Sequence, residues 1–271
     1  MGKSNILLIG PTGTGKTLLA ETAADILDVP FVSVDTTALT EAGYKGENVE
    51  FAVEKLVYAA DGDVGRAEHG IIYIDEIDKL AAGVQGSQEI GAKDVQQALL
   101  KIIEGTTVTL EKPVSGPGGI MAVDGLAAQY EVDTSGILFI CGGAFIGLQD
   151  EVKKRKAKQA IGFSAPVKEG KSAATGNGIC GATNADLERY GIIPELSGRL
   201  PNKVILNPLG KEDLARILTE PEDAIIKQYQ EMLAEDGVEF SCTKEALERV
   251  AERALEEKAG MGYKRGAGRS H

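Results

Sequence analysis

Gly10-Pro11-Thr12-Gly13-Thr14-Gly15-Lys16-Thr17 is the stretch of this chain with the most chemistry in it, and it fits the pattern G-x-x-x-x-G-K-[ST]. Glycines at these spacings let successive backbone amides curl around phosphate oxygens, and the helix that follows offers its positive end to the same oxygens. Lys16 is placed to reach the β- and γ-phosphates of a nucleotide, and the Thr17 hydroxyl is a hard oxygen donor for Mg²⁺. Gly10 through Leu18 is therefore the expected cofactor-binding segment, with ATP and Mg²⁺ as the cofactors. The matching half is Ile71-Ile72-Tyr73-Ile74-Asp75-Glu76. An apolar strand there delivers Asp75 as the second Mg²⁺ ligand, and Glu76 is suited to orient and deprotonate an attacking water. Lys16, Asp75 and Glu76 form the expected catalytic set of a P-loop ATPase. The dinucleotide fingerprint G-x-G-x-x-G is not matched, because Leu18 stands where its last glycine is required.

These residues need a scaffold that presents two loops at one edge of a sheet. Asn5 to Ile9 reads as a short strand buried on both faces, followed after the glycine turn by a helix over 17–27 with Leu19, Ala23, Ile26 and Leu27 facing inward. Pro30 to Val34, Ile71 to Ile74 and Ile137 to Cys141 supply further strands, and 47–60 and about 93–104 further helices. Alternation of this kind predicts an α/β fold, a doubly wound parallel sheet of the P-loop type. Residues 1–207 are expected to form this large ATPase domain. The Lys-, Gly- and Ser-rich part of it at 151–190, which opens on Lys153-Lys154-Arg155-Lys156, is expected to be a flexible loop region. Residues 208–271 read as a small, mostly helical domain, with helices over about 211–235 and 243–258, a short strand at Val238-Glu239-Phe240, and a frayed end from Gly260.

Composition narrows the class. The 271 residues carry 29 Lys and Arg against 41 Asp and Glu, a net charge of −12, which argues against a chain built to grip a phosphate backbone. Charged residues at 26% and hydrophobic ones at 43% are those of a folded domain. Cys141, Cys180 and Cys242 are odd in number and widely spaced, and neither His69 nor His271 has metal-type spacing to them, so reduced thiols and a cytoplasmic location are expected. No apolar run approaches the ~18 residues of a membrane span.

Five further segments carry a resemblance. Lys3 to Gly13, Leu39-Thr40-Glu41-Ala42-Gly43-Tyr44, Ile74-Asp75-Glu76-Ile77-Asp78-Lys79, Val95-Gln96-Gln97-Ala98-Leu99-Leu100 and Ile137 to Phe145 are similar to the ClpX-type AAA+ protein unfoldases. The resemblance runs from about residue 3 to about 258. It implies ATP-dependent unfolding and translocation of protein substrates by a homo-hexameric ring, with delivery to a ClpP-type peptidase and adaptors as further partners. It also implies that Tyr44, with Lys45 in place of the family's Val, lies in a substrate-gripping pore loop. Ile161-Gly162-Phe163 resembles the tip that docks on the peptidase. Arg199, in Gly198-Arg199-Leu200-Pro201, resembles the arginine that reaches a neighbouring subunit's nucleotide.

Against the family pattern the chain is expected to lack the N-terminal zinc-binding domain and parts of both ends. The pore-entrance Arg-Lys-His has no counterpart in 112–130, and the sensor arginine of the small domain matches neither Arg265 nor Arg269 without a gap. Two other functions stay open on the sequence: a nucleotide-binding interaction module that does not hydrolyse, and a nucleic-acid remodelling ATPase. The acidic charge and the aromatic pore loop weigh against the latter, so neither nucleic acid nor membrane is an expected partner.

Overall fold

Ile6–Ile9 is flanked on both sides by parallel neighbours, which is why four consecutive apolar residues form a strand here. A computed structural model describes residues 3–37, 49–81, 89–111, 129–160, 179 and 181–266. The chain divides into two compact units, Met1–Asn207 and Pro208–His271.

The first unit is built on β1 (Ile6–Ile9), β2 (Phe31–Asp35), β3 (Ile71–Asp75), β6 (Leu138–Gly143) and β7 (Asn202–Ile205). They form a five-stranded sheet in the order β2-β3-β6-β1-β7, with every pairing parallel. A second, two-stranded antiparallel ladder joins β4 (Thr107–Glu111) to β5 (Gln129–Asp133). The helices are α1 (Lys16–Leu27), α2 (Phe51–Ala59), α3 (Val64–Ala67), α4 (Glu89–Glu104), α5 (Leu148–Ala160), α6 (Asn184–Tyr190) and α7 (Pro194–Arg199). The fold is the expected α/β doubly wound class.

Alternation along the buried strands sorts the core into two layers. Leu7, Ile9, Ile72, Ile74, Phe139 and Cys141 join the larger cluster, with Val53, Leu56, Leu99, Leu187 and Leu196 from the helices. Leu8, Ile71, Tyr73 and Ile140 face the other way, against Ala20 and Ala24 of α1. This corrects the inward face expected for α1. α1 begins after Gly15, left-handed at φ 84°, and its buried residues are Lys16, Ala20 and Ala24. Leu19, Ile26 and Leu27 are exposed at 50%, 78% and 61%.

Other differences have local causes. The region expected to be a loop over 151–190 opens in α5, where Lys154 bonds Glu151 at 2.6 Å and Arg155 reaches Asp186. It closes in α6, which Thr183 and Asp186 start with a reciprocal capping box. Strand β7 was not anticipated because its residues, Asn-Lys-Val-Ile, are half polar, as suits an edge.

In the second unit, Pro221 follows the first helix, so the expected 211–235 helix becomes α8 (Lys211–Ile217) and α9 (Ile225–Glu235). Residues 238–240 are not a strand; the Phe240 ring instead packs on Tyr229, 6.5 Å between centroids. The last helix, α10 (Lys244–Gly266), runs past the point where fraying was expected. Among the described residues, no helix is long and apolar enough to cross a membrane.

Candidate functional site: a glycine loop and an acidic strand end

The loop after β1 is held at its base by the strands on either side. Gly10 N donates to Gly143 O at 3.1 Å, and Leu206 N donates to Ile9 O at 2.8 Å. Gly10 has to be glycine: a Cβ there would stand 2.9 Å from Leu206 Cβ and 3.0 Å from its carbonyl oxygen. The loop then tightens. Thr14 Oγ1 donates to Pro11 O at 2.8 Å, and Gly13 takes a positive φ of 77° ahead of Gly15. With Leu19 N bonded to Gly15 O at 2.9 Å, the first turn of α1 presents its amides toward the loop.

Lys16 is buried and folds its ammonium back over the loop, donating to Gly10 O at 2.8 Å and Pro11 O at 3.1 Å. A positive charge is thereby stored among backbone carbonyls at the mouth of the turn. Leu18, at the end of the segment, is 62% exposed.

The acidic half stands at the carboxyl end of β3, with β6 between it and β1. Ligands of open parallel sheets bind beyond this edge. Asp75 Oδ1 accepts from Glu76 N at 2.9 Å and from the Tyr73 hydroxyl at 3.1 Å. Glu76 is left-handed, φ 55°, and its carbonyl accepts from the buried Thr36 hydroxyl at 2.8 Å. A non-glycine residue in this region is strained, and the Thr36 bond helps hold it there. Two residues on, the buried Asp78 carboxylate accepts from Ala144 N at 3.3 Å and Phe145 N at 3.1 Å, fastening the turn 77–80 to the end of β6. Burial raises the pKa of Tyr73 most, with the Asp75 charge adding to it and a polar contact from the Thr17 side chain opposing it.

Sequence reasoning missed Tyr73, Thr36 and Asp78. Tyr73 did leave a signal, being a polar-tipped residue set among the isoleucines of β3. Thr36 left none, because it meets Glu76 across 40 positions.

The donors present suit a nucleotide with a hard divalent cation. Gly15 leaves open space where a side chain would stand, Lys16 supplies charge, and Thr17 and Asp75 offer oxygens, the ligand type Mg²⁺ takes together with phosphate and water.

Arg199 is not at this edge. Its carbonyl accepts from Asn5 Nδ2 at 3.2 Å, at the start of β1, so it lies at the amino end of the sheet, with its side chain on Glu104. Tyr44, Lys45, Ile161, Gly162 and Phe163 lie outside the described residues.

The AAA domain (Cdc48 subfamily) matches residues 2–203. The ATP-dependent Clp protease ATP-binding subunit ClpX 3 of Methylococcus capsulatus is 47% identical over 265 residues, covering 96% of this chain and 60% of its own. The ATP-dependent Clp protease ATP-binding subunit ClpX of Treponema denticola is 47% identical over 261 residues, covering 95% and 61%. That of Borrelia duttonii is 46% identical over 265 residues, covering 95% and 59%. The chain thus spans about 60% of the length of these relatives.

Proposed function

The chain belongs to the AAA domain family and is of the ClpX type, and from that premise we propose that it hydrolyses ATP to unfold and translocate protein substrates. The observation that carries the proposal is the shared edge. The glycine loop with Lys16 and the strand end with Asp75 and Glu76 are braced against the same strand, β6, through Gly143 and the 144–145 turn.

In this reading Lys16 exchanges its two loop carbonyls for phosphate oxygens, and the amides of the first turn of α1 bind the rest. Thr17 and Asp75 would hold Mg²⁺, which would supply screening of the phosphate charge. Glu76, held by its strained backbone and Thr36, positions a water and takes its proton. Arg199, on the opposite edge from its own phosphate loop, acts on the nucleotide of a neighbouring copy. The exposed Leu18, Leu19, Ile26 and Leu27 on α1 suit burial on assembly into a ring, a hexamer in this reading. Tyr44 grips substrate, and Ile161-Gly162-Phe163 docks on a ClpP-type peptidase, with adaptors as further partners and the cytoplasm as the compartment.

The test is phosphate release by the full chain with ATP and Mg²⁺, with and without an unfolded fluorescent reporter and a ClpP-type peptidase. Turnover stimulated by the reporter, and reporter loss that needs the peptidase, is the expected result. Nucleotide binding by a monomer without turnover would favour the interaction module, and stimulation by DNA in place of unfolded protein would favour nucleic-acid remodelling.

A further inference from the structure

Tyr73 is fully buried on β3, and a buried phenol needs a partner for its hydroxyl. It donates to Asp75 Oδ1 at 3.1 Å. That bond reaches Asp75, one of the two side chains read above as Mg²⁺ ligands. The space for the hydroxyl is specific. Gly142, on the adjacent strand β6, has no side chain, and a Cβ there would collide with the Tyr73 hydroxyl.

From this geometry we infer that Tyr73 is a positioning residue for the metal: its hydroxyl holds the Asp75 carboxylate and sets how it presents oxygen to a divalent cation. The physical sense follows from the direction of the bonds. Asp75 Oδ1 is occupied by Tyr73 and by Glu76 N, which fixes the carboxylate plane and leaves Oδ2 outside these two bonds. Partners of this kind orient first ligands, and their loss characteristically weakens metal affinity about ten-fold or more.

The inference rests on reading Asp75 as a metal ligand, so the experiment separates the two. Binding of a fluorescent, non-hydrolysable ATP analogue to the full chain is followed in EDTA and then across a Mg²⁺ titration, for wild type and Tyr73→Phe. The expected result is unchanged binding in EDTA and a Mg²⁺ midpoint raised about ten-fold. A midpoint within about two-fold of wild type, or an equal loss in EDTA and in Mg²⁺, overturns the inference and leaves Tyr73 a packing residue. A wild-type chain that binds nucleotide with no Mg²⁺ dependence removes the ligand reading itself, and this inference with it. Gly142→Ala is the second arm, since it crowds the same oxygen from β6 while keeping the hydroxyl. A raised midpoint there supports the inference, and an unchanged one in the folded variant overturns it.

Discussion

Arg199 Nη2 lies 2.8 Å and its Nε 2.9 Å from the same oxygen, Glu104 Oε1, at the edge of the sheet away from the phosphate loop. Asn5 ties the adjoining backbone by donating to Arg199 O and accepting from Phe139 N. The guanidinium is thus anchored at its root near β1 and β6 and, among the described residues, held at its tip by the half-exposed Glu104 carboxylate. An exposed pair of this sort contributes about 0.2–1 kcal/mol, so redirecting the tip to a phosphate costs little.

Arg199→Ala is accordingly expected to leave nucleotide affinity within a small factor while turnover of the assembled protein falls by about 10³-fold or more, the usual scale for an arginine supplied in trans. Glu104→Gln should change the melting temperature hardly at all and leave turnover far closer to wild type. Calorimetric nucleotide binding beside phosphate release separates the two variants. Equal loss in both would mean that Arg199 acts only through its ion pair.

Glu76→Gln keeps the backbone donor to Asp75 and the carbonyl that Thr36 bonds, so the site should stay assembled. ATP should bind at wild-type affinity while hydrolysis drops by about 10²- to 10⁴-fold, the range of a lost general base. Single-turnover measurements check this. Undiminished hydrolysis would remove Glu76 from the reaction.

Gly10→Ala places a methyl 2.9 Å from Leu206 Cβ at the root of the loop. Overpacking of this kind costs about 1–3 kcal/mol. A lower melting temperature and weaker nucleotide binding should appear together, because the same shift moves the loop that carries Lys16. A variant as stable as wild type with unaltered binding would contradict the close packing.

Asp186 is buried with Arg155 at 3.0 Å and Arg189 at 3.2 Å. Burial pushes its carboxyl up, yet the Thr183 backbone and side-chain bonds and the Arg155 charge outweigh that and hold it below its ordinary 3.8. A depressed carboxyl contributes stability that is complete above its unfolded value and is lost as the pH falls through the folded one. Asp186→Asn should therefore melt lower than wild type near neutrality, with the gap closing on acidification below pH ~4. Melting curves from pH 7 to pH 3 test this, and a constant gap would exclude the linkage.

Cys141, on β6, is completely buried, and burial pushes its thiol up to about 12. It should resist iodoacetamide in the native state at pH 8 while the partly exposed Cys242 is modified. Peptide mapping reads this directly. Early labelling of Cys141 would mean that β6 opens far more readily than a central strand should.

The sequence alone determined whatever depends on neighbours along the chain. The glycine spacing of the phosphate loop, the aliphatic runs of β1 and β3 and the placing of Asp75 and Glu76 at a strand end were all legible, because backbone freedom and strand burial are properties of short segments. The face α1 turns inward was not legible. Alanines, not the larger Leu19, Ile26 and Leu27, approach the sheet, a choice made by packing against the strands. Strand β7 was equally hidden, since an edge strand can be half polar and is recognised only through its pairing with β1. The bonds that brace the site were also beyond the sequence: Thr36 to Glu76, Asp78 to the 144–145 turn, and Tyr73 in the space left by Gly142. Each joins segments that only the order of strands brings together, and hydrogen bonds and close contacts act over a few ångströms whatever the separation along the chain.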